Sequence, residues 1–421
     1  MVAAETLPSG LRLVTESMPH VRSVTVGVWL ARGSRHETAD ESGLAHFIEH
    51  MLFKGTTSRS ARQIAQTMDS IGGQLDAFTS KEYAAYYVKV LDEHLPLALD
   101  LLADMVLRPA FAPDDIAREQ SVILEEIKMV EDAPDDLVYE VATQRFWADH
   151  PLGRPILGTP ETVSSFDAAR IRDYFARNYV APNLLVVAAG NIEHARLRGM
   201  VERLFEALPA GTPAPDDAAP AVTPGLILRH KDIEQSHICL GTPGYAQTHA
   251  RRHAAYVLNT LLGGSMSSRL FQHIREDRGL AYAVMSSMAS FRDAGMFTVY
   301  AGCAVDKVSE VVDLTMVELR SLRDEPVPVE ELQRAKEHVK GSLMLGLEST
   351  SSRMSYLARQ YLYFGRHYTL DDILTEVDRV SVDAIRDVAR DLFQDEGLIA
   401  TVVGPRMDAP LTAAQLRMQL G

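Results

Sequence analysis

Cysteine is nearly missing from this chain. Its 421 residues hold two, Cys239 and Cys303. Both stand in apolar surroundings, His-Ile-Cys-Leu and Ala-Gly-Cys-Ala, which reads as buried free thiols in strands. Two distant cysteines make no disulfide framework, so a reducing compartment is expected. Positive charge is also scarce: 42 Lys and Arg stand against 57 Asp and Glu, a formal net charge of -15. This excludes a general nucleic-acid binder, which needs a basic face. No run of eighteen apolar residues occurs, so neither a membrane span nor a membrane partner is expected. The opening residues Met1-Val2-Ala3-Ala4-Glu5-Thr6-Leu7-Pro8 lack the basic and apolar regions of a signal peptide. A cytoplasmic location is expected.

What is present describes a soluble globular chain: 46% hydrophobic and 24% charged residues. Its length exceeds one ordinary core, so at least two domains are expected. In the first half, alternation and β-branched content predict strands over 11–16, 23–30 and 183–190, and a hairpin over 74–80 and 83–91. Apolar periodicity predicts helices over 60–70, 95–107, 113–131, 166–179 and 195–208. The stretch 133–165 is proline-rich and reads as irregular. Residues 209–225 carry five prolines among Ala, Asp and Thr, without periodicity, and read as a linker. The second half repeats the first in outline. Strands near 226–228 and 236–241 precede helices over 253–262, 305–322 and 329–345, and a helix over 381–393 leads to a strand over 397–404. Two copies of one α+β unit are therefore expected, at 1–208 and 226–421.

The informative stretch is Gly43-Leu44-Ala45-His46-Phe47-Ile48-Glu49-His50-Met51-Leu52-Phe53-Lys54-Gly55. Leu44, Phe47, Ile48, Met51 and Leu52 recur at helical spacing and form one apolar stripe. His46 and His50, at i and i+4, fall together on the opposite side, with Glu49 beside them. Two imidazoles so placed can fill two positions of a tetrahedral metal, with a carboxylate next to the open position. A solvated polar face could spell the same residues, so a third ligand is needed. In the helix over 113–131, Ile116, Ile123, Ile127 and Val130 form the stripe. Glu119 and Glu126, seven apart, stack at its rim, while Glu125 points toward solvent. Periodicity favours Glu126 over Glu125 as the carboxylate turned inward; by itself the pattern also describes a helix with many exposed acids. The helices over 253–262 and 329–345 carry no comparable set, so the chemistry belongs to the first half.

With these residues in view, the chain resembles the M16 zinc peptidases, the inverzincins with a His-x-x-Glu-His motif. His46 to Thr56 fits the family motif, and Val122-Ile123-Leu124-Glu125-Glu126-Ile127 fits the segment with the third ligand, at Glu126. The resemblance implies one Zn²⁺ per chain on His46, His50 and Glu126, Glu49 as general base, and Glu119 supporting the site from behind. Gly263 to Phe271 and Ile274 to Tyr282 resemble the family's glycine-containing loop and Arg/Tyr pair, which lands on Arg275 and Tyr282. Chemically, Arg275 can hold a peptide carbonyl and Tyr282 can stabilise an oxyanion. Asp76, Ala77, Phe78 and Thr79 resemble the family's substrate-pairing edge strand, with Asp76 where asparagine is usual. A carboxylate cannot donate the hydrogen bonds of an amide, though backbone pairing survives.

The implied fold is α+β: two homologous α/β-roll domains, each a mostly antiparallel sheet packed with helices, of the LuxS/mitochondrial-processing-peptidase-like metallohydrolase kind. The two-unit length resembles the short branch of the family, in which two chains close together and complete each other's sites. That implies a homodimer acting on peptides or unfolded polypeptides in extended form. Two competing readings are a non-catalytic assembly subunit of the same fold and a peptidase dedicated to one precursor.

Overall fold

The computed structural model describes residues 1–212, 218–408 and 411–418. The first half runs β1 (Val2–Thr6), β2 (Arg12–Ser17), β3 (Ser23–Leu30), α1 (Leu44–Leu52), α2 (Ala61–Ser70), β4 (Gln74–Thr79), β5 (Ala84–Leu91), α3 (Leu95–Leu107) and α4 (Pro113–Asp132). It continues through α5 (Pro134–Phe146), α6 (Pro160–Ser164), α7 (Ala168–Asn178), β6 (Leu184–Gly190) and α8 (His194–Leu204). The second half runs β7 (Gly225–His230), β8 (Ser236–Pro243), α9 (Arg252–Leu262), β9 (Ala281–Ser290), β10 (Gly295–Cys303), α10 (Val308–Asp324), α11 (Val329–Gly346), α12 (Thr350–Phe364), α13 (Leu370–Asp378), α14 (Val382–Leu392) and β11 (Ile399–Gly404). A π-helical stretch, Phe271–Glu276, precedes β9.

There are two mixed sheets among the described residues. The first has the order β1-β2-β6-β3-β5-β4 and the second β7-β11-β8-β10-β9. Both are antiparallel except for one pair, β2 with β6 and β7 with β11. Removing β1 leaves the same strand order and the same single parallel pair in each.

The compact units are not contiguous in sequence. One comprises 1–128, 154–218 and 346–367; the other comprises 129–153, 219–345 and 368–421. The exchanged pieces are helices. In the first unit, Val24, Val26, Val28 and Leu30 of β3 face the helix-side core, and Trp29 faces the other way. In β6, Leu184, Val186 and Ala188 alternate likewise with Leu185, Val187 and Ala189. A strand apolar on both faces needs cover on both. α12 supplies it from the second half of the sequence through Met354, Leu357 and Ala358. The indole Nε1 of Trp29 donates to Met354 Sδ at 3.0 Å. Trp29 is fully buried, and truncating such a side chain to Ala costs about 3–5 kcal/mol.

In the second unit the matching cover is α5, whose Leu137, Val138, Ala142 and Phe146 pack with Cys239, Ile399 and Val403. This corrects the expectation of an irregular 133–165. Its prolines begin helices rather than prevent them, because Pro134 and Pro160 occupy first-turn positions, where no amide hydrogen is needed. Of the expected linker 209–225, residues 209–212 and 218–224 hold no helix or strand. Pro213 and Pro215 lie outside the described residues. Cys239 and Cys303 are buried free thiols in β8 and β10.

Candidate active site

α1 begins at Gly43, whose φ of 99° is a left-handed conformation suited to glycine. A Cβ there would also meet Leu157 O at 2.7 Å. The first amides of the helix are capped from outside: the Glu37 carboxylate accepts from Gly43 N at 2.9 Å and Ala45 N at 2.6 Å. Burial raises the Glu37 carboxyl to about 8, against the pull of those two hydrogen bonds. Leu44, Phe47, Ile48, Met51 and Leu52 are completely covered. The loop after α1 is anchored on α3, where Asp104 accepts from Thr56, Ser58 and Arg59 at 2.7–2.8 Å.

The polar side of α1 meets α4. His46 Nε2 and His50 Nε2 each stand 3.7 Å from Glu126 Oε2, and the three donor atoms lie within 4.8 Å of one another. These separations are too long for hydrogen bonds. They suit a shared cation, since two donors about 2.1 Å from one zinc at a tetrahedral angle lie about 3.4 Å apart. Burial, and then the neighbouring His50, push His46 down to about 3. It is therefore neutral at pH 7, the form that ligates metal. His50 Nδ1 bonds Glu119 Oε2 at 3.0 Å, and Lys54 Nζ holds Glu119 Oε1 at 2.6 Å. Donation from Nδ1 leaves the Nε2 lone pair facing the cluster. Glu119 is 3% exposed, and its two partners compensate the burial of its charge. His46 Nδ1 is buried and has no hydrogen bond among the described residues. Glu125 points outward and pairs with Lys128 at 2.7 Å. The donor set fits zinc: two imidazoles and a carboxylate, with a hydrogen-bonded carboxylate behind one imidazole.

Glu49 lies next to the cluster. Its Oε2 accepts from Thr79 Oγ1 at 2.5 Å. Burial raises its carboxyl above the usual range, while Thr79 and His50 pull it down. Thr79 ends β4, the last strand of its sheet, so one side of the β4 backbone has no strand partner among the described residues. Leu75 and Ala77 pack on the helix-side core, whereas Phe78 packs on the opposite face with Trp29 and Tyr83. Asp76 shares the face of Phe78 by alternation. It accepts from Tyr87 OH at 3.0 Å and from Ala77 N at 2.8 Å, so both bonds use its acceptor capacity and neither needs an amide.

Arg275 and Tyr282 belong to the other compact unit. Arg275 is on the π-helical stretch, and its guanidinium stands 4.7 Å from the Phe271 ring centre and 5.0 Å from that of Tyr282. Tyr282, on β9, is 79% exposed. Sequence reasoning missed four residues that brace the first unit. Lys54 stood within the motif stretch. Arg35 and Glu37 stood between the predicted strand over 23–30 and the motif stretch, and Tyr363 in a helix that was not foreseen.

Residues 12–160 match the domain described as insulinase, peptidase family M16, and residues 165–339 match the peptidase M16 inactive domain. The uncharacterized zinc protease YmxG of Bacillus subtilis is 44% identical over 96% of this chain and 98% of its own length. A peptidase M16 inactive domain from Pseudomonas fluorescens shares the fold at a TM-score of 0.91 and 20% identity, covering 97% of this chain and 100% of its own. A protease from Helicobacter pylori does so at 0.90 and 23%, covering 96% and 100%. With the motif helix, its carboxylate partner on α4 and a full-length relative at this identity, the chain belongs to peptidase family M16.

Proposed function

We propose that the chain is a zinc-dependent endopeptidase that cleaves peptides or unfolded polypeptides bound in extended form. The observation that carries this reading is the convergence of His46, His50 and Glu126, with Glu49 next to them and hydrogen-bonded to an edge strand. Zinc held by the three ligands supplies Lewis acidity to the scissile carbonyl and lowers the pKa of water. Thr79 occupies Oε2 of Glu49, so Oε1 is left to take a proton from the attacking water. The same carboxyl then delivers that proton to the leaving amine as the C–N bond breaks. Its upward-shifted carboxyl suits both roles, because a proton carrier works best with a pKa near the working pH. The open side of β4 accepts an extended peptide as an added strand, which selects backbone rather than sequence. Tyr282 donates to the developing oxyanion and Arg275 holds a substrate carbonyl.

The functional form in this reading is a homodimer that encloses a chamber, in which one chain's Arg275 and Tyr282 complete the partner chain's metal site. Its support is the resemblance to the short branch of the family. This reading also takes the chain to work in the cytoplasm, on the ground of its two buried free cysteines. The test is Glu49→Gln. It should keep full zinc content and lose turnover on an unfolded polypeptide by on the order of a hundredfold or more. Wild-type activity in that variant, or a zinc-loaded wild type that cleaves nothing, would refute the reading.

A further inference from the structure

Segment 34–37, just ahead of α1, touches both things the proposed reaction must align. Its backbone lies on the β4–β5 turn: Ser34 N donates to Ser80 O at 3.1 Å, and Arg35 N to Lys81 O at 2.7 Å. Gly33 permits this approach, since a Cβ there would stand 2.2 Å from Ser80 O. The side chain of Arg35 reaches Glu82 in the same turn, Nη1 to Oε1 at 2.8 Å. Both are buried, at 3% and 7% exposure. Tyr363 OH, on α12, donates to Glu82 Oε2 at 2.8 Å. Two residues further on, Glu37 caps the motif helix through Gly43 N and Ala45 N. Its carbonyl accepts from Arg154 Nη1 at 2.7 Å, and the carbonyl of Arg154 accepts from Lys81 Nζ. The connections close a ring: Glu49 to Thr79, along β4 to the turn at 80–82, across to 34–37, and back through the cap to the helix of Glu49.

We propose that segment 34–37 is a positioning clamp for the proposed peptidase reaction, on which the inference rests. Glu37 sets the helix that carries the base, and Arg35 sets the strand that receives the substrate. Neither touches the reacting atoms. A buried, ion-paired Arg35 with a planar fork holds the turn in one orientation, which a flexible lysine does not reproduce. The Glu37 cap needs two acceptor oxygens, one for each amide. In Glu37→Gln one of these becomes a donor facing a donor, and the start of α1 must shift. The two halves of the clamp therefore act on different kinetic constants. A displaced base is felt in the transition state, and a displaced edge strand is felt in binding.

The experiment measures kcat and KM on an extended quenched peptide for full-length wild type, Glu37→Gln, Arg35→Lys, Glu82→Gln and Tyr363→Phe, with zinc content and melting temperature for each. Glu37→Gln should lower kcat about tenfold with KM within about twofold. Arg35→Lys and Glu82→Gln should raise KM about tenfold with kcat nearly kept, and Tyr363→Phe should do so by about threefold. Zinc should stay at one per chain throughout. If Glu37→Gln does not fold, the mild Tyr363→Phe and Glu82→Gln variants decide. Folded, zinc-loaded variants in which kcat and KM move together, or do not move, overturn the clamp. A wild type inactive despite full zinc overturns the proposed function instead.

Discussion

The two compact units share a strand order once β1 is set aside, but among the described residues one holds a group of side chains that could bind a metal and the other does not. The difference lies in helix faces. In the first unit α4 turns Glu119 and Glu126 toward α1. The second unit's α11 follows α10 as α4 follows α3. When α4 and α11 are matched at their first buried residues, Ile116 and Leu332, Ala335 stands in place of Glu119 and Ser342 in place of Glu126. α9 brings no pair of histidines to meet them. The bracing device is kept in both units. Asp104 on α3 anchors the loop after α1 through Arg59 at 2.8 Å. Glu318 on α10 anchors the segment after α9 through His273 at 2.6 Å, with Arg269 at 3.7 Å. Packing and bracing thus belong to the scaffold, and the chemistry to a handful of side chains set on it.

The contrast is broken most severely by writing the second unit's residue into the first. Glu126→Ser should release zinc and lower turnover by well over the roughly 10–100-fold that outer-shell partners cost. Metal analysis and peptide assay check it; retained zinc would remove Glu126 from the ligand set.

The next test asks whether the two units act on one another's substrates across chains. Glu49→Gln and Tyr282→Phe should each be nearly inactive alone. Mixed heterodimers should regain about a quarter to a half of wild-type activity, because electrostatic and proton-transfer groups are intact in one of their two composite sites. No recovery in confirmed heterodimers would place both groups in one chain's site or remove Tyr282 from it.

A smaller effect is expected at the contact between base and strand. Thr79→Val keeps the shape of β4 and removes the hydrogen bond to Glu49. It should cost several-fold in kcat/KM, about 1 kcal/mol, with zinc content unchanged. Equal kinetics would detach the strand from the base.

The smallest effect sharpens the bracing comparison. Burial alone would raise the Asp104 carboxyl, but hydrogen bonds from Thr56, Ser58, Arg108 and Arg59 bring it down to about 2. The folded pKa lies below the unfolded value of about 3.9, so this stabilisation is complete above about pH 4 and is lost as pH falls to about 2. In melting curves, wild type should lose stability across that window more steeply than Asp104→Asn. Parallel slopes would show that Asp104 is not the titrating brace.

Much of the first unit could be read from the chain. The alternation of 23–30 and the apolar run before Gly190 gave β3 and β6, because strands buried on one or both faces show it in their pattern. The stripe Leu44-Phe47-Ile48-Met51-Leu52 placed His46, Glu49 and His50 on the other side of α1. Periodicity favoured Glu126 over Glu125, and Glu126 is the residue that faces the histidines. α5 and α12 were not foreseen. Their stripes are short or mixed, and each is helical because it covers a sheet whose strands lie mostly in the other half of the sequence. No local pattern reports a partner two hundred residues away.

The clamp was hidden for the same reason. Ser34, Arg35 and Glu37 look like a polar turn until the β4–β5 turn and the start of α1 fold against them. The sequence by itself determined the repeated outline of its two halves, the motif helix and the chemistry its residues can perform, since these follow from residue type and local period; the units themselves exchange helices between the halves. Only the tertiary structure decided which helix covers which sheet, which carboxylate meets the histidines, and what holds Glu49 beside Thr79. Those outcomes depend on contacts between segments far apart in the chain, whose strength comes from burial and hydrogen bonding that exist only once the chain has folded.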